Sequence, residues 1–185
     1  RPIDVDGDGR AEVAAGGLFT GIRLWRRDQA GVWAPSGPRH ELSGCGEMKD
    51  ARVVDLDADG APELITFGSH NDCDEGPISG GSGWNRVFVF TSDAATHTLV
   101  PDSEFAAEVP ASSLDVGDLD GDGNVDVIVA DPDDAMMLFR GNGDRSFAHV
   151  LPMLGYADFS GSGPFAADFD GDGTDELLVE RGDSY

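Results

Sequence analysis

The sequence predicts an all-β fold built from a repeated hairpin unit, and three observations carry that expectation. One acidic pattern of nine residues recurs four times with fixed internal spacing. Short, apolar, partly β-branched runs flank the copies, with turn residues close on either side. Gly (26 of 185 residues) and Pro (10) are abundant, which suits many tight turns and few long helices.

The four copies are Asp4-Val-Asp-Gly-Asp-Gly-Arg-Ala-Glu12, Asp55-Leu-Asp-Ala-Asp-Gly-Ala-Pro-Glu63, Asp118-Leu-Asp-Gly-Asp-Gly-Asn-Val-Asp126 and Asp168-Phe-Asp-Gly-Asp-Gly-Thr-Asp-Glu176. Their starts lie 51, 63 and 50 residues apart. Positions 1, 3 and 5 are always Asp, position 6 is always Gly, and position 9 is Asp or Glu. Position 10 is always apolar: Val13, Leu64, Val127 and Leu177.

The chain carries 36 acidic against 12 basic residues, a formal charge of −24. Sixteen of the acids occupy positions 1, 3, 5 and 9 of the four repeats; with Asp175 and Arg10, which cancel, two-thirds of the net charge sits in these loops. Such a balance excludes nucleic acid and anionic membrane surfaces as partners, since both need clustered basic residues. No apolar run reaches the roughly 18 residues of a membrane-spanning helix. With 39% apolar residues the chain has the means to bury a core. It starts at Arg1 without an initiator Met or signal pattern, and it reads as a processed or excised piece.

Carboxylates at positions 1, 3, 5 and 9 of one tight loop repel one another. A hard cation removes the conflict. Ca²⁺ takes six to eight oxygens at about 2.3–2.6 Å, whereas Mg²⁺ demands a strict octahedron and keeps its waters. Zn²⁺ calls for Cys or His, and neither occurs in the loops. The carbonyl at position 7 (Arg10, Ala61, Asn124, Thr174) would add one ligand. The position-6 glycines Gly9, Gly60, Gly123 and Gly173 allow the sharp turn. Acidic turns without a metal are the alternative. Four copies with one spacing and one invariant Gly argue against it.

An EF-hand needs a bidentate Glu at position 12 between two helices. Position 12 here is Ala15, Thr66, Val129 and Val179. The flanks also read as strands. Residues 51–56, 113–119 and 164–169 precede the loops as strand A, and 63–68, 126–130 and 176–180 follow as strand B. Strand C is expected at 21–27, 85–91 and 135–140, and strand D at 31–34, 96–100 and 146–151. Turn signals separate C from D at 27–31, 92–95 and 141–144. The first strand A is nearly missing. A short helix is expected near 103–108. Four strands in about 50–60 residues is the size and order of a propeller blade, and the count is about three and a half blades.

These motifs, with a strand on either side, resemble the FG-GAP/VCBS repeat of integrin α-chain and bacterial secreted propellers. The resemblance covers nearly the whole chain, taken as a single domain or fragment over 1–185. It implies a β-propeller with about four Ca²⁺ ions, one per A–B loop, on the rim opposite the usual ligand face. The implied ligands are Asp4, Asp6, Asp8, the Arg10 carbonyl and Glu12; Asp55, Asp57, Asp59, the Ala61 carbonyl and Glu63. In the later loops they are Asp118, Asp120, Asp122, the Asn124 carbonyl and Asp126; Asp168, Asp170, Asp172, the Thr174 carbonyl and Glu176. Ala58 replaces the usual Gly at position 4 of the second loop, and Pro62 occupies its position 8. Residues 158–163 look like a degenerate fifth loop that binds no metal. An incomplete array leaves open sheet edges, so the chain is expected to pair with the rest of a larger propeller, with another chain or with itself.

Cys45 and Cys73 lie 14 residues either side of Asp59, at the tip of the second hairpin. Antiparallel strands would bring them within disulfide reach, with two free buried thiols as the alternative. Calcium loops and a disulfide both suit a secreted or cell-surface setting.

A long Gly-rich acidic connection over 69–84 offers His70, Asp72 and Trp84 as candidate ligand-binding residues, with a solvated insertion as the alternative. Trp25 shares a strand with Ile22 and Leu24 and is expected to pack between blades. Trp33 is a weaker sugar platform than Trp84. The four His residues sit in no metal or triad pattern. Arg181-Gly182-Asp183 is a tripeptide that integrins read, though short motifs recur by chance.

No nucleophile elbow, Cys–His signature or zinc-protease motif occurs. The expected function is a non-catalytic, calcium-stabilised extracellular module that binds a glycan or protein and mediates adhesion. The alternative is a module of a secreted polysaccharide hydrolase or lyase. It would draw on Asp72, Asp74, Glu75, Asp131, Asp133 and Asp134, the only acid clusters outside the loops.

Overall fold

The computed structural model describes residues 2–4, 9–17, 21–40, 48–69, 85–93, 95–107, 112–130, 136–153 and 163–179. Fourteen antiparallel strands and no helix occur among them. The first sheet comprises β1 (Pro2–Ile3), β2 (Glu12–Gly17), β3 (Gly21–Arg27) and β4 (Trp33–His40). The second comprises β5 (Met48–Val54), β6 (Glu63–Ser69), β7 (Asn85–Asp93) and β8 (Thr98–Ala106). The third comprises β9 (Ser113–Gly117), β10 (Asp126–Ala130), β11 (Met136–Gly141) and β12 (Phe147–Met153). A two-stranded sheet, β13 (Phe165–Ala167) and β14 (Glu176–Leu178), follows.

Within each sheet, strand order follows chain order, so each is a simple meander. The acidic loops join the first two strands in register. In all four, the residue before position 1 pairs with position 9: Ile3 with Glu12, Val54 with Glu63, Gly117 with Asp126, and Ala167 with Glu176. Register shifts between Ile22 and Leu24, Met48 and Asp50, Val89 and Phe90, and Met136 and Leu138 add local twist.

The sheets stack face to face, and the strand period of two decides which residues meet. Each has a front, turned to the next sheet, and a back, turned to the previous one. Ala14, Ile22 and Leu24 on the front of the first sheet pack on Leu64, Phe88, Phe90 and Leu99 of the second. The front of the second (Leu56, Ile65, Phe67, Val87, Val89) packs on Leu114, Val127, Val129, Met137 and Phe139 of the third. Ile128, Ala130 and Met136 then meet Leu177 and Val179. Burying each large side chain of these layers stabilises the fold by about 1.5–3 kcal/mol. The first strands of neighbouring sheets lie side by side, β5 against β9 and β9 against β13.

Three sequence expectations are corrected. The helix expected at 103–108 is instead the end of β8 as far as Ala106. Phe105 there pairs with Val87, and its ring stacks on Phe139 and Phe147 at 4.7 and 5.2 Å; Arg86 Nη2 binds Glu104 Oε1 at 2.8 Å across the strands. Strand D of the first unit runs through Pro35 and Pro38 to His40, further than predicted. It is an edge strand, where the missing amide donors cost no ladder bonds. Trp25 lies on the face opposite Ile22 and Leu24 and is partly exposed, so no neighbouring sheet covers it among the described residues.

Candidate metal centres in the acidic hairpins

Each loop is shaped by its own carboxylates. At position 1, Oδ2 accepts the amide of the position-6 glycine: Asp4 from Gly9 (2.9 Å), Asp55 from Gly60 (2.9 Å), Asp118 from Gly123 (2.8 Å) and Asp168 from Gly173 (3.0 Å). Position 3 accepts the position-5 amide, with Asp57, Asp120 and Asp170 at 3.3, 3.2 and 3.1 Å. Position 5 accepts the position-7 amide, with Asp59, Asp122 and Asp172 at 2.7, 2.9 and 2.8 Å. The chain thereby curls round its acidic side chains. The position-6 glycines hold φ between +80° and +96°, a left-handed conformation that a side chain would strain.

The position-9 acid closes the loop from the following strand. Its carboxylate accepts the amide of position 2: Glu63 from Leu56 (2.8 Å), Asp126 from Leu119 (3.0 Å) and Glu176 from Phe169 (2.8 Å). Glu12, Glu63 and Asp126 are buried. Asp126 also accepts the Gly141 amide from β11 at 2.9 Å, so both its oxygens serve the backbone. Burial pushes the Glu63 carboxyl above its ordinary value; the Leu56 amide works against this, and the charges of Asp57 and Asp59 add to it. Asp126 is raised in the same way, by burial and then by Asp120 and Asp122, against its two amide bonds.

Three carboxylate groups converge, with ligand atoms within 4.8 Å of one another: Asp55, Asp57 and Glu63; Asp118, Asp120 and Asp122; Asp168, Asp170 and Glu176. The long Glu of the second and fourth loops reaches the cluster. The shorter Asp126 stays on the backbone, and Asp122 takes its place. In the first loop Asp4, Arg10 and Glu12 are described, and Asp6 and Asp8 lie outside the described residues. The donor set fits a hard cation: converging carboxylate oxygens, with no His or Cys among them.

Arginines already share this charge. Arg140 of β11 binds Asp120 at 2.6 Å and Asp122 at 2.9 Å. The Asn124 amide, and then Arg140, hold the Asp122 carboxyl below its usual range. Arg145, from the turn between β11 and β12, reaches Asp57 of the second loop at 3.3 Å and Asp102 at 3.7 Å. Arg26 lies 3.8 Å from Glu12.

Cys45, Cys73, His70, Asp72, Asp74, Glu75, Trp84, Asp131, Asp133, Asp134, residues 158–162 of the degenerate fifth loop, and Arg181, Gly182 and Asp183 all fall outside the described residues. His40 packs its ring 5.7 Å from Phe90. Trp33 is partly exposed, with the Arg27 guanidinium 5.1 Å above its ring.

Sequence reasoning missed the polar links between sheets. Asp115 Oδ1 receives Arg52 Nε at 2.6 Å, and its Oδ2 receives the Ala166 amide at 2.8 Å. Asp175, at position 8 of the fourth loop, accepts the Asp118 amide at 2.8 Å, while its own amide donates to the Asp118 carbonyl at 2.7 Å. Gly117 lets that carboxylate approach, because a Cβ there would strike Asp175. One signal was available: Asp115 stands between the apolar Leu114 and Val116 of its strand.

Stacked antiparallel meanders, each opening on a carboxylate-lined hairpin, define a repeat protein whose sites lie in its loops. The FG-GAP-like repeat family matches at residues 4–66 and 118–179, and the chain belongs to that family. No curated protein matches the chain.

Proposed function

We propose that the chain is a calcium-stabilised β-propeller module of a secreted or cell-surface protein, and that it binds a glycan or protein ligand in adhesion. The observation that carries it is the recurrence of a three-carboxylate cluster in three equivalent hairpins, on positions 1, 3 and 9 in the second and fourth loops and on 1, 3 and 5 in the third. Each loop takes one ion, about four in all, with the position-7 carbonyl completing the donor set. The ions serve structure. Each offsets charge in a loop that ties two strands, so ion binding and folding are linked. Stacked four-stranded meanders with neighbouring first strands support the propeller arrangement. A Cys45–Cys73 disulfide belongs to the same extracellular reading, and the connection with His70, Asp72 and Trp84 is the proposed ligand surface. Thermal melts in Ca²⁺, Mg²⁺ and EGTA test it. Ca²⁺ should raise Tm well above both other conditions, and three superimposable melts would reject it.

A further inference from the structure

The third loop differs from the second in what sits on its carboxylates. Asp118 gives both oxygens to backbone amides, Oδ1 to Gly121 and Asp122 and Oδ2 to Gly123. Asp126 does the same with Leu119 and Gly141. Asp120 and Asp122 give the backbone only Oδ1, to the amides of Asp122 and Asn124. Their Oδ2 atoms are held by a single side chain. Arg140 Nε lies 2.6 Å from Asp120 Oδ2, and its Nη2 lies 2.9 Å from Asp122 Oδ2. One guanidinium thus bridges two of the three acids of the cluster.

Strand register delivers Arg140 to that place. It follows Phe139, the β11 residue paired with position 10 of the loop, Val127. Gly141 comes next. Its amide is tied to Asp126, and a Cβ there would strike the Val125 carbonyl, so glycine lets β11 lie close against the loop. The residue at the same register is Arg26 in the first sheet, after Trp25, and Thr91 in the second, after Phe90. Arg26 also faces an acid of its own loop, Glu12 at 3.8 Å. Thr91 carries no charge, and its hydroxyl lies 3.5 Å from the Val100 carbonyl. The second loop meets an arginine only from the next sheet: Arg145 reaches one acid, Asp57, at 3.3 Å and is shared with Asp102 at 3.7 Å. The second loop also keeps Glu63 in its cluster, where the third substitutes Asp122.

We propose that Arg140 sets the affinity of the third loop by competing with the cation: its guanidinium occupies the Asp120 and Asp122 oxygens that the backbone leaves open, and a divalent ion must displace it. A guanidinium cannot shed its charge to make way, so the ion meets a fixed positive neighbour. The third loop therefore fills at higher Ca²⁺ than the second. Without the ion, Arg140 takes over its role in the third loop, bridging acids that repel one another. The proposal rests on the calcium reading of the loops and adds the rank order of two of them.

Calcium titration of the full chain by calorimetry, with the number of bound ions counted by native mass spectrometry, tests it. Arg140→Thr gives the third sheet the residue that the second carries. The third loop should then bind Ca²⁺ about fivefold more tightly, as expected for removing one charge beside a divalent ion in water at physiological salt. Adding Asp120→Asn should abolish the gain and assign it to the third loop. Thr91→Arg should do the reverse and weaken the second loop. Melts supply the second readout. Arg140→Thr should melt below wild type in EGTA and level with it or above in saturating Ca²⁺. Arg140→Gln replaces it if that variant folds poorly. Calcium binding by the wild type that is unchanged or weaker in Arg140→Thr overturns the competition alone, as does a melt lowered equally in both conditions, which would make Arg140 a structural link. A wild type that binds no calcium rejects the calcium reading and the competition with it.

Discussion

Arg52 and Asp115 meet at 2.6 Å across two sheets, and the second carboxylate oxygen of Asp115 holds the Ala166 amide of a third sheet. One buried side chain thus links the first strands of three successive meanders. Arg52 is also held by Asp50 at 2.6 Å and by the Ala51 carbonyl at 3.0 Å. Asp115→Ala removes one partner of a largely buried pair and leaves the Ala166 amide without its acceptor. The loss of stability should be about 2–4 kcal/mol, with Asp50 keeping it from the upper end for a broken buried pair. Urea denaturation measures it. Adding Arg52→Met to Asp115→Ala should recover part of the loss, because the stranded charge is then gone.

Ala58 holds φ at +58°, where the third and fourth loops place Gly121 and Gly171 at +75° and +80°. An L side chain there is strained and Gly is not. Ala58→Gly should stabilise the protein by about 1 kcal/mol, since relief of the left-handed strain exceeds the added chain entropy. A shift of the urea midpoint to higher concentration at unchanged slope checks it. A shift to lower concentration contradicts it.

Asp126 binds two backbone amides, Leu119 and Gly141, and is buried. Asp126→Ala strands both and should cost about 2–4 kcal/mol. Asp126→Glu is the more informative change. The longer side chain resembles Glu63 and Glu176, which join their carboxylate clusters. It should raise the Ca²⁺ affinity of the third loop while weakening the Gly141 bond, so affinity rises as metal-free stability falls. Calcium titration followed by a melt in EGTA separates the two effects.

Without metal, the pH dependence follows from Glu63 and Asp126, whose carboxyls lie above their ordinary 4.5 and 3.8. A carboxyl that holds its proton more tightly in the fold favours folding at low pH. That contribution fades as pH rises from the ordinary value through the raised one. Asp122 is shifted the other way, so its effect appears only as pH falls below 3.8. In EGTA, stability should therefore fall as pH rises above the ordinary carboxyl values of 4.5 and 3.8. In saturating Ca²⁺ the slope should reverse, because the ligands must be deprotonated. Tm against pH under both conditions checks the sign.

The hairpins and their sheets were legible in the sequence because local chemistry dictates them. Position-6 Gly sets the turn, the acids cap amides within their own loop, and β-branched flanks such as Val127, Ile128 and Val129 leave little alternative to strand. What eluded sequence reasoning depends on which faces meet. Residues 103–108 resemble a helix only until Phe105 is seen stacked on Phe139 and Phe147. Trp25 looked like filling between sheets because its neighbours Ile22 and Leu24 are, but one step along a strand turns a side chain to the other face. Arg140 and Arg145 carry no motif. Their place beside Asp120, Asp122 and Asp57 comes from strand register and sheet stacking, which a single sequence does not encode locally.

Native mass spectrometry of the intact chain tests the central claim most directly. Sprayed from calcium-containing buffer, the folded protein should carry about four Ca²⁺ ions, one per loop. Substituting position 3 of the three described clusters (Asp57→Asn, Asp120→Asn, Asp170→Asn) should remove about three of them while the first loop keeps its ion. A folded wild-type chain with no bound calcium, or one whose ions survive all three substitutions, would contradict the account.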